Sequence, residues 1–368
     1  MEKIVKIACI VLAVIAGVIL LAAIVLLVCR AVNASRYKIR SDSGIDESGY
    51  IEINGIRQFI HIRGENTANP VMIFVHGGPG SPMSFAAPYY QRPMEKTFTV
   101  LHYDQRGCGR TFYANFDNGE LTVAQLESDL DATVDYACER FGCEKVVIMG
   151  HSWGTVLGAR YIHDHPEKVQ AYIGVSQAVS GLYEGKITLG EKALTAAKQS
   201  SHAADAAALE EALGRMRKVN RYEDMALSDL MTVAGLSSKY LGCDGEMSSL
   251  GQIVTGITSP YMNMTDVRWF LRMSDDTQAF FASQEELMKY AFFGFDLYAL
   301  GSDYDFPVFF ISGSDDCAIP QEAAQMYYEQ VNAPQKQMCV IENTGHSPFM
   351  DAPDVFARTV TEWLDGRK

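Results

Sequence analysis

Apolar residues follow different rhythms in different parts of this chain. From residue 7 to residue 29 they run without a single charge and are almost all Ile, Val, Leu and Ala. About 20 such residues make a helix long enough to cross the hydrocarbon core of a bilayer. A cleaved signal peptide is the rival reading, because Val32-Asn33-Ala34 offers a cut before Ser35. Secretory apolar cores are usually about 7 to 15 residues long, however, and this run exceeds them. The pattern predicts an uncleaved single-pass anchor, and residues 1–40 are assigned to it and its flanks.

Beyond a linker the rhythm shortens. Residues 50–54 and 58–63 alternate like paired strands about Asn54-Gly55, a dipeptide that suits a tight hairpin turn. Short apolar bursts follow at 71–75, 98–102, 145–149, 169–174, 306–312 and 337–341, with helical spacing at 121–141, 152–163, 321–330 and 353–364. Strands alternating with helices predict an α/β fold whose mainly parallel sheet is covered on both faces. In such sheets ligands bind beyond the carboxyl ends of the strands. Between 177 and 305 the alternation stops. Residues 203–219, with Leu209, Leu213 and Met216 at helical spacing, and residues 277–293 read as helices without a strand between them. This stretch is expected to be a helical cap inserted between core segments 41–176 and 306–368.

Composition adds two constraints. A chain of 368 residues that is 48% hydrophobic and 21% charged can bury a substantial core. Its net charge is −14, yet residues 1–40 carry Lys3, Lys6, Arg30, Arg36, Lys38 and Arg40 against Glu2 alone. The body is therefore strongly acidic, which argues against nucleic acid as a partner. Four cations after the apolar run against two before it incline the body to the cytoplasmic side. Cys108, Cys138, Cys143, Cys243, Cys317 and Cys339 show no tight disulfide-framework spacing, which points the same way. Cys138 and Cys143 are not spaced as a zinc knuckle, so no metal is expected, and no cofactor either.

The candidate chemistry centres on Gly150-His151-Ser152-Trp153-Gly154. A strand entering a sharp turn and leaving as a helix lifts one serine oxygen clear of the backbone, with glycines tolerating the crowding around it. Ser152 is thus a candidate nucleophile that needs a base oriented by a carboxylate. Of the histidines that follow, His163 and His165 are carried away at the far end of the helix that Ser152 begins, and His202 lies in an Ala-rich helical stretch. His346 remains, in a loop after the strand-like 337–341. The acid is expected at the tip of the strand before it, where Asp315 and Asp316 are adjacent. Asp316 is preferred, because Asp315 reads more simply as a turn residue bonding the local backbone. Gly77 and Gly78, after the strand 71–75, offer bare N–H groups to a developing oxyanion, with the N–H of Trp153 as a further donor.

HGGPG at 76–80, DQRGCGR at 104–110, GHSWG at 150–154, GSDD followed by Pro320, and the Gly345-His346 pair together resemble the α/β-hydrolase superfamily. Within it the likeness is to the prolyl iminopeptidase family, over roughly residues 50–365 apart from the middle insert. The resemblance implies Ser152 as nucleophile, Asp316 as acid, His346 as base, and Gly78 with Trp153 at the oxyanion hole. It also implies a peptidase that removes amino-terminal proline from short peptides. The chain departs from that pattern at Cys108, where serine is usual, and at His151, where glycine is common. An esterase acting on lipid-like or other acyl esters is the alternative, and a catalytically silent binding protein is a third reading. An exopeptidase needs cap carboxylates for the free amine, and Glu184 and Glu191 are the candidates. Asp104 and Arg106 are expected to brace their loop, His76 and His151 to support the site by hydrogen bonds, and Tyr103 to be core. The cap aromatics are expected mainly to pack the cap onto the core.

Overall fold

A computed structural model describes residues 2–242, 245, 247–364 and 366; Cys243 lies outside them. The long apolar run forms the first helix, α1 (Glu2–Arg36), none of whose residues is buried. The alternating segments β1 (Ile45–Ile53) and β2 (Ile56–Gly64) form an antiparallel hairpin in which Ile53 faces Ile56. Its turn places Asn54 at φ 45° and Gly55 at φ 78°, which is the backbone hand that lets a two-residue turn follow the twist of its strands.

The remaining strands are β3 (Val71–Val75), β4 (Thr99–Tyr103), β5 (Val146–His151), β6 (Val169–Val175), β7 (Val308–Gly313) and β8 (Lys336–Ile341). Among the described residues the sheet has 8 strands in the order β1-β2-β4-β3-β5-β6-β7-β8. It is parallel from β4 through β8, and β1 and β2 are its antiparallel edge. Side chains alternate between two cores. Val71, Ile73 and Val75 of β3, with Val146 and Ile148 of β5, enter one, while Met72, Phe74, Val147 and Met149 enter the other. Both faces are therefore dry, which is why these strands read as continuous apolar runs rather than as half-polar ones.

Two short helices, α2 (Ala87–Gln91) and α3 (Gly109–Ala114), follow β3 and β4. The crossover helix α4 (Val123–Phe141) is capped by the Thr122 side chain and ends on Gly142 in the left-handed region. Next, α5 (Trp153–Asp164) leads from β5 into β6. Between β6 and β7 lie α6 (Leu182–Gln199), α7 (Ala203–Met216), α8 (Leu227–Tyr240), α9 (Ser249–Thr258), α10 (Met264–Asp275), α11 (Thr277–Ser283), α12 (Glu285–Lys289) and α13 (Leu297–Leu300). The single helix expected over 277–293 is broken: it stops at Gln284, restarts, and closes in a π-helical turn, Tyr290–Gly294. The core resumes with α14 (Gln321–Gln330), α15 (Pro348–Asp351) and α16 (Pro353–Leu364).

Candidate active site

The carboxyl ends of β5, β7 and β8 meet at one crest of the sheet. Ser152 follows β5 directly, at φ 54° and ψ −122°. A non-glycine residue held there costs of order 1–3 kcal/mol, so the surroundings must impose it. The Ser152 N–H donates to the Val175 carbonyl at 3.0 Å, and the Thr155 hydroxyl donates to the Ser152 carbonyl at 2.7 Å. Residue 154 is where the turn admits only glycine, because a Cβ there would lie 1.9 Å from the Val75 carbonyl oxygen.

The structure brings Ser152, His346 and Asp316 together. The Ser152 hydroxyl lies 2.8 Å from His346 Nε2, and His346 Nδ1 lies 3.0 Å from both Asp316 carboxylate oxygens. A carboxylate facing Nδ1 fixes the neutral imidazole tautomer, leaving Nε2 to accept the serine proton. Asp316 Oδ1 also accepts the Ala318 and Ile319 N–H groups, at 2.8 and 2.9 Å. Burial alone would raise the Asp316 pKa, but the His346 charge and these hydrogen bonds outweigh it and hold it at about 2. Its neighbour Asp315 turns away: its carboxylate accepts the Ser314 hydroxyl and its N–H donates to the Thr344 carbonyl.

The His346 loop is pinned by its own carbonyl, which accepts His151 Nε2–H at 2.9 Å and the Ser176 hydroxyl at 3.0 Å. Burial and the neighbouring His346 depress the His151 pKa to about 3, so this ring stays neutral and supports the loop as a donor. His76 donates from Nδ1 to the Gly77 carbonyl and accepts the Gln105 N–H at Nε2, and burial lowers its pKa to about 4. Among the described residues, the backbone N–H groups of Gly77, Gly78 and Trp153 have no hydrogen-bond acceptor. Gly78 sits at φ 120°, a conformation that L side chains rarely adopt.

Asp104 and Arg106 do not pair with each other. Arg106 makes a bidentate pair with Asp129 of α4, while Asp104 accepts the Ser84 hydroxyl and the Arg110 N–H. Burial pushes the Asp104 pKa up to about 7. Arg110 instead reaches the cap, with Nε and Nη2 on Asp266 of α10 at 2.8 and 2.6 Å. Gln105 and Ser176, which sequence reasoning passed over, fasten the crest. Gln105 donates to the His76 carbonyl and accepts the Trp153 indole N–H at 3.1 Å. Its place in the DQRG motif was the available signal; Ser176 had none. Tyr103 is buried in the core beside Leu101.

The cap closes over the glycine loop. Trp269 donates its indole N–H to the Gly80 carbonyl at 2.8 Å, and Phe280 packs against Gly80. A groove of about 770 Å³ opens beside Phe280 between Tyr113, Arg268 and Asp276, and none of Ser152, Asp316 or His346 lines it. Glu191 is exposed and paired with Arg217 at 2.8 Å, and Glu184 is exposed, so neither carboxylate is buried at the crest. Cys317, next to Asp316, is disulfide-bonded, so cysteine spacing was a poor guide to redox state here. Among the described residues no group of His, Cys, Asp and Glu could hold a metal ion.

The α/β-hydrolase fold family model matches residues 70–353. This chain belongs to the α/β-hydrolase family. The hydrolase is 26% identical over 313 residues to the probable aminopeptidase YbaC of Bacillus subtilis, covering 84% of this chain and 94% of that one. It is 32% identical to the proline iminopeptidase of Neisseria gonorrhoeae over 127 residues, 34% of this chain and 38% of the relative. Among solved structures, the proline iminopeptidase of Mycobacterium smegmatis superposes with a TM-score of 0.60 at 19% identity, covering 87% of this chain and 98% of that one. A bacterial membrane phospholipase A superposes with a TM-score of 0.60 at 16% identity, covering 100% of this chain and 99% of that one. At these identities the superpositions establish the fold.

Proposed function

We propose that this hydrolase cleaves an acyl bond through a serine acyl-enzyme. The observation that carries the reading is the unbroken hydrogen-bond chain from Asp316 through His346 to Ser152, together with the Gly77, Gly78 and Trp153 backbone N–H groups that lack acceptors among the described residues. Ser152 Oγ attacks the substrate carbonyl while His346 Nε2 takes its proton, and Asp316 stabilises the imidazolium. The carbonyl oxygen becomes an oxyanion that receives hydrogen bonds from the N–H groups of Gly78 and Trp153, with Gly77 as a further donor. His346 returns the proton to the leaving group. Water, deprotonated by the same imidazole, then releases the acid and restores the serine.

The substrate we favour is a short peptide with a small amino-terminal residue such as proline, supported by the relatives named aminopeptidase and proline iminopeptidase. A carboxylester is the second reading, favoured by the exposure of Glu184 and Glu191, which leaves neither as a buried partner for a substrate amine. We also propose that α1 anchors the enzyme in a membrane, since its long apolar stretch has no protein packed over it. The oxidised Cys317 suits a catalytic domain on the oxidising side of that membrane, opposite to the side favoured by counting cations. A fluorophosphonate probe tests the chemistry: the protein should label, and Ser152→Ala should abolish labelling. Turnover of proline naphthylamide against nitrophenyl acyl esters separates the two substrate classes, and activity on the ester alone ends the peptidase reading.

A further inference from the structure

Helix α9 is built inside out. Its residues Gly251, Thr255 and Gly256 turn toward the protein, and the ring of Phe85 lies so near Gly256 that a Cβ there would stand 3.3 Å from it. Leu250, Ile253, Val254 and Ile257, spaced i, i+3, i+4 and i+7, face outward and are 70, 57, 47 and 38% exposed. A helical stripe of that spacing is one continuous apolar face, and water-soluble surfaces rarely carry such a patch without a partner. The ten residues of α9 contain no charge.

The position of this face says what covers it. Arg30, the first charge after the apolar run of α1, donates to the carbonyls of Ile257, Pro260 and Met262 at 3.2, 3.2 and 2.6 Å. Asn33 donates to the Thr258 carbonyl at 3.0 Å. The Ile257 and Thr258 carbonyls are at the end of α9, where the helix itself leaves acceptors open, and the Pro260 and Met262 carbonyls belong to the loop that follows. Residues 7–29 span about 34 Å as a helix at ~1.5 Å per residue, close to the ~30 Å of a bilayer's hydrocarbon core. Arg30 therefore stands at headgroup level, and α9 is fastened to it there.

We propose that α9 lies on the lipid surface beside the end of α1, with Leu250, Ile253, Val254 and Ile257 in the acyl boundary. This rests on α1 being a membrane span. Arg30, Arg36, Lys38 and Arg40 follow the apolar run in the chain, a cluster of cations that suits an anionic leaflet, and an uncharged helix with one apolar face suits the interface plane. The contact reaches the active-site side of the molecule through the segment after α9. There Ser259 bonds the Phe85 carbonyl, the Tyr261 carbonyl accepts Arg110, and the Tyr261 hydroxyl bonds Asp46 of β1. The bilayer thus holds the cap at a fixed height over the glycine loop.

Tryptophan fluorescence of the full chain in phosphatidylcholine/phosphatidylglycerol vesicles tests this without any need for activity. The native Trp153, Trp269 and Trp363 are fully buried, so an added surface tryptophan reports its own surroundings. Ile253→Trp should show blue-shifted emission and strong quenching when brominated phosphatidylcholine replaces the ordinary lipid. Tyr298→Trp, at an exposed site packed on Tyr327 in the opposite core layer, should be quenched no more than the native protein. Equal, weak quenching at both sites while the protein resists alkaline carbonate extraction overturns the proposal and leaves the anchor standing; a second copy covering α9 would give this result. Release of the protein by carbonate overturns the anchor as well.

Discussion

The crest of the sheet and the helical cap above it are held by different physics. At the crest, Ser152, His346 and Asp316 hang from strand ends whose side chains fill two dry cores, and each is fixed by hydrogen bonds from at least one further segment. The cap, the helical stretch between β6 and β7, shares one apolar cluster with a face of the sheet and adds polar ties to it. Among the polar ties are the Arg110–Asp266 pair, the Trp269 bond to Gly80, the Lys186 bond to the Ala318 carbonyl, and the Ser259 and Tyr261 bonds to Phe85 and Asp46. A rigid crest suits chemistry that needs sub-ångström placement, whereas an insertion between two strands can vary without disturbing that crest.

The sharpest way to break this contrast is at Ser152, the proposed nucleophile. Ser152→Ala should lower kcat by about 10^4-fold or more while leaving the thermal transition in place; a variant that unfolds would mean the strained turn depends on the hydroxyl. Asp316→Asn should cost about 10^4-fold, by removing the carboxylate that sets the His346 tautomer. Asp315→Asn should stay within about twofold, and steady-state kinetics on the two variants show which carboxylate matters.

Cutting a tie should affect the cap more than the crest. Arg110→Met leaves Asp266 buried without its cation, a loss of about 3–5 kcal/mol. Hydrogen exchange should speed up in α10 well before it does in β5. Equal loss in both would make cap and sheet a single cooperative unit.

A smaller effect separates them by pH. Folded His151 takes up a proton only near pH 3, whereas the unfolded residue does so near 6.5. The unfolded state therefore binds more protons in that window, and stability falls as pH drops through it, by at most about 1.4 kcal/mol per pH unit. His76 adds a slope of the same sign down to about pH 4. The depressed Asp316 pKa acts lower, since its contribution is present above about pH 3.8 and is lost as pH falls toward 2. Urea denaturation of His151→Asn from pH 6.5 to 4 should show a shallower decline than the native protein. The smallest effect is expected at Glu191→Gln. This exposed ion pair is worth below about 1 kcal/mol, and KM for proline naphthylamide should not move; a large rise would place Glu191 in substrate binding.

The same contrast decides what can be read from sequence. The strands and crossover helices were legible because each buries a periodic apolar face, and the α14 and α16 bounds coincide with the periodic segments. Ser152, His346 and Asp316 were legible because strand-end loops of short, distinctive composition carry them. The cap was not. Helix α9 points its large residues outward, so its pattern gives no inward face to find, and Gly185 and Gly190 weaken the helical signal of α6. The segment 277–293 has one helix's composition, but Gln284 and the π-helical turn divide it. Contacts such as Ser176 with His346 span 170 positions, and no local rhythm encodes them.

The near-collision between residue 154 and the Val75 carbonyl has a genetic consequence. In a deep mutational scan read out by folding alone, position 154 should tolerate a single letter, although it takes no part in proton transfer. Serine at 152 would become replaceable in that same assay. A distant homologue that had lost its nucleophile would therefore still be betrayed by the glycine two codons downstream.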